Sequence, residues 1–268
     1  MGTPMRSRRS APLPRALPRR RRRARSAARA PGQEQSDAAG QLLAPAALYR
    51  LMAWLSPSFP VGAFSYSGGI EWAVQAGDIR DAATLRGWLS TVIEAGAGWS
   101  DAVLFAQAFR AAAEKDDTAL GAVAEFAAAL APSKERFLET TAQGAAFLAA
   151  VAAAWPCPAL ARLASAWDGP VCYPVAVAVA AAGHGLARDA ALHAYLHALA
   201  SNAISAGVRL VPLGQTDGQR LLMALEPVVA ASAQRALAAP LDAAAGCAFR
   251  ADLASLQHET QYTRLFRS

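Results

Sequence analysis

The stretch DAATLRGWLSTVIE, residues 81–94, contains the pattern that decides the fold. Its large apolar residues recur at i, i+3, i+4, i+7 and i+8, a spacing that puts them on one face of an α-helix. An aspartate, a residue type that caps helix N-termini, precedes them. The stretch therefore predicts an amphipathic helix that begins after Asp81 and turns one stripe towards a core: Leu85, Trp88, Leu89, Val92 and Ile93.

The same helical spacing recurs along most of the chain, at residues 103–108, 123–130 and 192–203. No segment alternates apolar and polar residues between turn signals, as a strand would. Prolines and glycines punctuate the helical runs at short intervals. We predict an all-α protein in which residues 43–268 form a single globular domain of about ten helices.

Residues 1–42 have a different composition, rich in Arg, Pro, Ser and Ala without apolar periodicity, and we predict that they are disordered. Eleven of the 26 Lys and Arg residues lie between Arg6 and Arg29, so the rest of the chain has 15 basic and 20 acidic residues. That acidic balance argues against nucleic-acid binding by the folded body. We interpret the basic extension as dispensable, rather than as an arm for nucleic acid or a membrane.

Apolar stretches and cysteines indicate a cytoplasmic protein. The longest apolar runs, residues 145–155 and 171–182, fall short of the roughly 20 residues of a membrane-spanning helix. A polar segment follows the N-terminal arginines where an export signal needs an apolar region. The three cysteines are far apart and show no metal-ligand spacing, as expected of reduced thiols.

The chain lacks the common catalytic motifs. It contains no phosphate-binding loop, nucleophile elbow, zinc-protease HExxH pair or Rossmann glycine fingerprint, so we predict no enzyme activity, catalytic residue or cofactor. Carboxylates such as Glu71, Asp101 and Asp217 are dispersed, and nothing in the sequence pairs them. His193 and His197 stand at i, i+4, but without a third ligand we interpret them as structural and predict no metal site.

Three segments are chemically unusual for helix filler. Residues 56–72, SPSFPVGAFSYSGGIEW, place two prolines and three glycines before a helix, for close packing or for binding. Residues 211–222, VPLGQTDGQRLL, contain a predicted loop between two helices, Leu213 to Gly218, where Thr216 and Gln219 can form a capping box for the second helix. The polar side chains of this segment cap helices or meet a partner: Gln215, Asp217, Gln219 and Arg220. Residues 258–268, HETQYTRLFRS, end in aromatic, apolar and basic residues that are typical of a docking segment.

In this order and at these separations, the three segments resemble the UreF family of urease accessory proteins, over about residues 48–268. The resemblance implies a non-catalytic, cytoplasmic homodimer that links the accessory protein UreD (also called UreH) to the GTPase UreG, regulates that GTPase, and helps to insert nickel into apo-urease. It also implies that the C-terminal segment, Glu259 to Ser268, becomes ordered on binding UreD/UreH, and that the contacts involve Glu259, Gln261, Tyr262, Arg264, Leu265, Phe266 and Arg267. Residues 133–144 diverge from the family pattern, apart from Glu139 and the pair Gln143-Gly144.

Two other functions stay open at this point. One is a helical small-molecule-binding protein or enzyme that uses the loop from Gln215 to Arg220, which a ligand pocket lined by that loop would favour. The other is a nucleic-acid binder that acts through the basic extension.

Overall fold

The computed structural model describes residues 1–2 and 44–268, so the predicted disorder of residues 1–42 lies almost wholly outside the described residues. From residue 44 onward the chain forms one compact unit. It contains eleven α-helices: α1 Pro45–Trp54, α2 Ile70–Gln75, α3 Ala82–Ala95, α4 Ala97–Glu114, α5 Asp117–Ala129, α6 Lys134–Ala154, α7 Pro158–Ala166, α8 Tyr173–Gly183, α9 Arg188–Leu210, α10 Gln215–Ala238 and α11 Phe249–His258. Short 3-10 helices span Ala63–Ser65 and Leu241–Ala244.

The described chain has no β-strand, which confirms the predicted all-α class. Helix α3 begins where the sequence indicated, because the Asp81 carboxylate accepts a hydrogen bond from the Thr84 N–H at 2.8 Å. Its stripe faces the core, with Leu85, Leu89 and Ile93 buried.

Helix α8 lies at the centre of the domain and packs mainly on α4 and α6. Every residue from Pro174 to Ala181 is buried. A helix that is apolar all round is expected where neighbours cover it on every side. Its small alanine and valine side chains allow those neighbours to approach closely.

Two helices, α6 and α10, are long and apolar enough to cross a membrane by length and composition alone. A third of each apolar window is buried inside the domain. Core helices of water-soluble domains meet the same criterion, so these helices leave the prediction of no membrane span untested.

The glycine-rich segment before α2 forms a turn that brings two helices into backbone contact. Gly68 and Gly69 both have positive φ, 60° and 81°, a conformation that L side chains disfavour. Gly69 also touches α11, since a Cβ at this position would lie 2.8 Å from the backbone nitrogen of Ser255. The segment therefore serves packing, one of the two roles left open by the sequence.

The connection between α9 and α10 differs from the prediction of a loop that extends to Gly218. Helix α10 already begins at Gln215, because the Asp217 carboxylate accepts a hydrogen bond from the Gly214 N–H at 3.2 Å and so caps the helix. The predicted capping box of Thr216 and Gln219 is wrong for this reason. The four residues assigned to the loop instead lie in the first two turns of a helix: Gln215, Asp217, Gln219 and Arg220.

We expect Gly69→Ala to destabilise the fold more than Gly68→Ala. Both substitutions impose a left-handed conformation on alanine, at about 1–2 kcal/mol. Only the alanine Cβ at position 69 also meets the α11 backbone, and this overpacking adds about 1–3 kcal/mol of destabilisation. Urea denaturation of the two variants measures the difference, and equal stabilities would contradict the close contact.

Candidate functional site

The segment after α11, residues 259–268, folds back onto the helical body, and we call it the tail. The backbone N–H groups of Leu265 and Phe266 donate hydrogen bonds to the Glu71 carboxylate at 2.7 and 2.9 Å. Hydrogen bonds to an ionised acceptor are stronger than neutral ones. A single side chain of α2 therefore holds the middle of the tail.

Glu71 is a buried carboxylate in the first turn of α2. Burial acts to raise the pKa of Glu71, but hydrogen bonds from Leu265, Phe266 and His258 outweigh it and lower the pKa below its ordinary value of 4.5. Glu71 is therefore ionised at neutral pH and serves as an acceptor for the tail.

A second buried carboxylate, Glu135, lies at the start of α6, where Ser133 caps the helix. It accepts a hydrogen bond from the Arg264 guanidinium of the tail at 2.7 Å. The His258 ring, which is fully buried, lies between the two carboxylates, 2.7 Å from Glu135 and 3.2 Å from Glu71. We call these four residues the anchor cluster: Glu71, Glu135, His258 and Arg264.

The last residues of the tail are also docked. The Phe266 side chain is only 4% exposed and lies under the Arg209 guanidinium, 4.3 Å from the ring centroid. The Ser67 N–H donates to the carbonyl oxygen of Ser268 at 2.7 Å, and the Ser268 hydroxyl donates to Glu139 at 3.0 Å. The tail is thus ordered against the body by contacts along its length.

The structure separates the predicted partner-binding residues into docked and exposed groups. Gln261 is buried and donates to Gln75 at 2.7 Å, and Glu259 accepts from the Lys134 N–H at 2.8 Å. Tyr262 is fully exposed and Leu265 is 68% exposed. Binding of a partner by these residues stays a prediction, now with a defined exposed group: Tyr262, Arg264, Leu265 and Arg267.

A cavity of about 270 Å³ lies near the tail, between α3, α6 and α9. Its polar groups bond to one another, because Asp101 accepts from Arg136 at 2.7 and 2.8 Å and from the Tyr195 hydroxyl at 2.8 Å. Burial raises the pKa of Tyr195 and of Glu139, so the phenol stays neutral. This arrangement does not present an activated nucleophile. Neither of the two described cavities is lined by Gln215 to Arg220, which removes the support for a ligand pocket there.

The paired histidines of α9 lie apart from the anchor cluster. The His193 ring bonds to the carbonyl oxygen of Asp189 at 2.9 Å, and His197 is exposed. Over residues 44–268, no group of three or more His, Cys, Asp or Glu side chains is arranged to hold a metal ion.

The sequence does not predict the anchor cluster. Nothing in it pairs the carboxylates of Glu71 and Asp101, whereas the structure pairs Glu71 with His258 and Asp101 with Arg136. Glu71 and His258 do occur in two of the unusual segments, one before α2 and one at the C-terminus. An acid and a histidine in two chemically unusual segments are thus the signal that the sequence offers.

Comparison with known proteins gives consistent matches. A sequence model described as UreF matches residues 79–226. The chain is 63% identical over 223 residues to the urease accessory protein UreF of Rhodopseudomonas palustris strain HaA2, covering 83% of this chain and 94% of that protein. It is 58% identical over 232 residues to the protein of the same name from Bradyrhizobium diazoefficiens, covering 86% and 96%.

We expect Glu71→Gln to release the tail without unfolding the body. A glutamine replaces one of the two accepting oxygens with an NH₂ group and removes the negative charge. Tail docking should therefore lose about 1.5–3 kcal/mol. Trypsin should then cut after Arg264 and Arg267 about tenfold faster or more. Glu226→Gln, on the exposed face of α10, is the matched control, and equal cleavage in both variants would refute the anchoring role.

We also expect acid to release the tail. Docking lowers the pKa of Glu71. The contribution of Glu71 to docking is therefore complete above its ordinary pKa of 4.5 and is lost as the pH falls through the lower pKa of the docked form. Hydrogen exchange of the Leu265 and Phe266 amides, corrected for intrinsic rates, measures the effect. Glu71→Gln should show no such acid step, and a step of the same size in that variant would assign it to another group.

Proposed function

The chain belongs to the UreF family of urease accessory proteins, and on that premise we propose that it acts in urease maturation as a non-catalytic scaffold. In this proposal it joins UreD/UreH to the GTPase UreG, regulates that GTPase, and so helps to insert nickel into apo-urease. The names of its relatives support an accessory role and go no further. The structural support comes from the tail.

One observation supports a docking role above the others: the tail is ordered, yet two of its three large apolar or aromatic side chains, Tyr262 and Leu265, are exposed. Helix α11 leads into the tail and carries three more exposed apolar residues at i, i+4 and i+7, a spacing that puts them on one helix face. We call this set the tail surface: Phe249, Leu253, Leu256, Tyr262 and Leu265. Exposed apolar groups of this kind mark protein interaction sites.

Energetics favour such a surface over a flexible terminus. Ordering a free segment costs about 1–2 kcal/mol for each residue fixed. Here the body has already fixed the tail backbone through Glu71, so a partner that covers Leu265 gains most of the 1.5–3 kcal/mol that burying a large apolar side chain provides. Arg267, two residues after Leu265, is also exposed and can add a charged donor to such an interface.

We propose UreD/UreH as the partner that covers the tail surface. Binding to UreG and apo-urease, a homodimeric state and a cytoplasmic location complete the proposal on the grounds of family resemblance, with no residue assigned to them. The proposal includes no contact with nucleic acid or a membrane.

The alternative of a small-molecule-binding protein or enzyme at Gln215 to Arg220 has less support. These residues lie on the exposed first turns of α10, where Asp217 pairs with Arg220 at 2.9 Å. An exposed i, i+3 ion pair contributes little stability, so these side chains remain adaptable contacts for a partner. The cavity of about 270 Å³ lies elsewhere, and its charged groups Asp101 and Arg136 are bonded to each other.

We expect Leu265→Asp to weaken binding to purified UreD/UreH by about tenfold or more, since it replaces an apolar residue of the tail surface with a charge. Met223→Asp is the matched control, because Met223 on α10 is also 68% exposed but lies outside the surface. Size-exclusion chromatography and titration calorimetry of both variants give the comparison.

Circular dichroism should show both variants folded, because neither side chain is buried. The proposal fails if Leu265→Asp binds UreD/UreH as tightly as the unmodified chain. It also fails if Met223→Asp loses binding to the same extent, since the effect would then come from charge alone.

A further inference from the structure

The contacts of the His258 ring constrain its protonation state. Both of its ring nitrogens face carboxylate oxygens: Nδ1 lies 2.7 Å from Glu135 Oε2, and Nε2 lies 3.2 Å from Glu71 Oε2. The ring is fully buried, so water cannot supply a missing donor or acceptor. A neutral imidazole carries one N–H, whereas two acceptors face it here.

Each carboxylate also accepts hydrogen bonds from donors other than the ring. Glu71 accepts the backbone N–H groups of Leu265 and Phe266, and Glu135 accepts the guanidinium of Arg264. Ionised carboxylates only accept hydrogen bonds. With a neutral ring, one nitrogen lone pair would face an oxygen lone pair inside the protein, a contact that the interior penalises.

An imidazolium satisfies every contact in the anchor cluster. Both ring N–H groups then donate, and the charges balance, with Glu71 and Glu135 negative and His258 and Arg264 positive. Buried charges are tolerated only when they are paired and hydrogen-bonded in this way.

We propose that His258 is held as an imidazolium and that this buried proton is the condition for docking of the tail. Its ring joins α2, α6 and α11, and the two carboxylates that it bridges are the ones that bind Leu265, Phe266 and Arg264. Loss of the proton leaves one uncompensated negative charge in the cluster and weakens the hold of Glu71 and Glu135 on the tail.

The proton therefore controls how Leu265 is presented, and this consequence for partner binding rests on the proposed function. The direction follows from linkage: the docked form holds the proton, so docking is favoured while the ring is protonated and weakens when the proton is lost. The charged groups that face the ring are Glu71 from α2, Glu135 from α6 and, through Glu135, Arg264 from the tail.

The first test reads the proton directly in the unmodified protein. The chain has four histidines, so ¹⁵N-histidine labelling gives few ring signals, and His258→Gln identifies the pair from this residue. At neutral pH we expect both His258 nitrogens to carry a proton. A ring with one unprotonated nitrogen, which would place the shared proton on Glu135 or remove it, overturns the proposal even if no variant folds.

The second test separates charge from shape. Hydrogen exchange of the Leu265 and Phe266 amides should be about tenfold faster or more in His258→Gln than in the unmodified chain, while His193→Gln, on α9, leaves it unchanged. The double variant His258→Gln with Glu135→Gln removes the excess negative charge and should recover part of the protection. A double variant that exchanges at least as fast as His258→Gln recovers no protection when the excess charge is removed, and this outcome contradicts the proposal.

These measurements use the chain without any partner. If the tail responds as expected but UreD/UreH does not bind, the proposed function fails and the role of His258 stands. If UreD/UreH binds and the tail ignores the state of His258, the inference alone fails.

Discussion

The hydrogen bonds from two tail amides to the Glu71 carboxylate are the interaction on which the rest of the site depends. They join residues almost two hundred positions apart and fix the tail backbone against α2. Glu71 reaches them because Gly69, the residue just before α2, has a positive φ and no side chain, which lets α11 approach at backbone distance. A local backbone requirement thus determines where the end of the chain can dock.

Burying that carboxylate creates the need for the other members of the anchor cluster. An ionised group removed from water must be paired and fully hydrogen-bonded, or it costs several kcal/mol. His258 and Arg264 supply the positive charges, and Glu135 balances the second of them. These residues come from α2, α6, α11 and the tail. The pairs that neutralise the Glu71 carboxylate therefore also hold these four elements together. The exposed side chains of the tail are then carried on a rigid support.

The sequence predicted the local features and missed the distant ones. The Leu85 stripe and the Asp81 cap are contained within one helix, so spacing and residue type are enough to find them. The start of α10 was placed too late, because Asp217 caps the helix from inside its first turn and reads in the sequence as a loop residue. Glu71 and His258 are 187 positions apart, and no periodicity relates them. Their pairing depends on tertiary packing, which a single sequence does not encode in any local pattern.

The docked tail changes what sets the affinity for a partner. A partner that recognises the ordered tail binds only the docked fraction, so its apparent dissociation constant is the intrinsic one divided by that fraction. Contacts that lie wholly inside this chain, at Glu71 and His258, therefore act on binding as strongly as the exposed contacts do. A change of about 1.4 kcal/mol in docking, once the tail is mostly released, alters the affinity about tenfold without touching the interface. In the proposed scaffold role, the docking equilibrium of the tail is thus a means to regulate assembly.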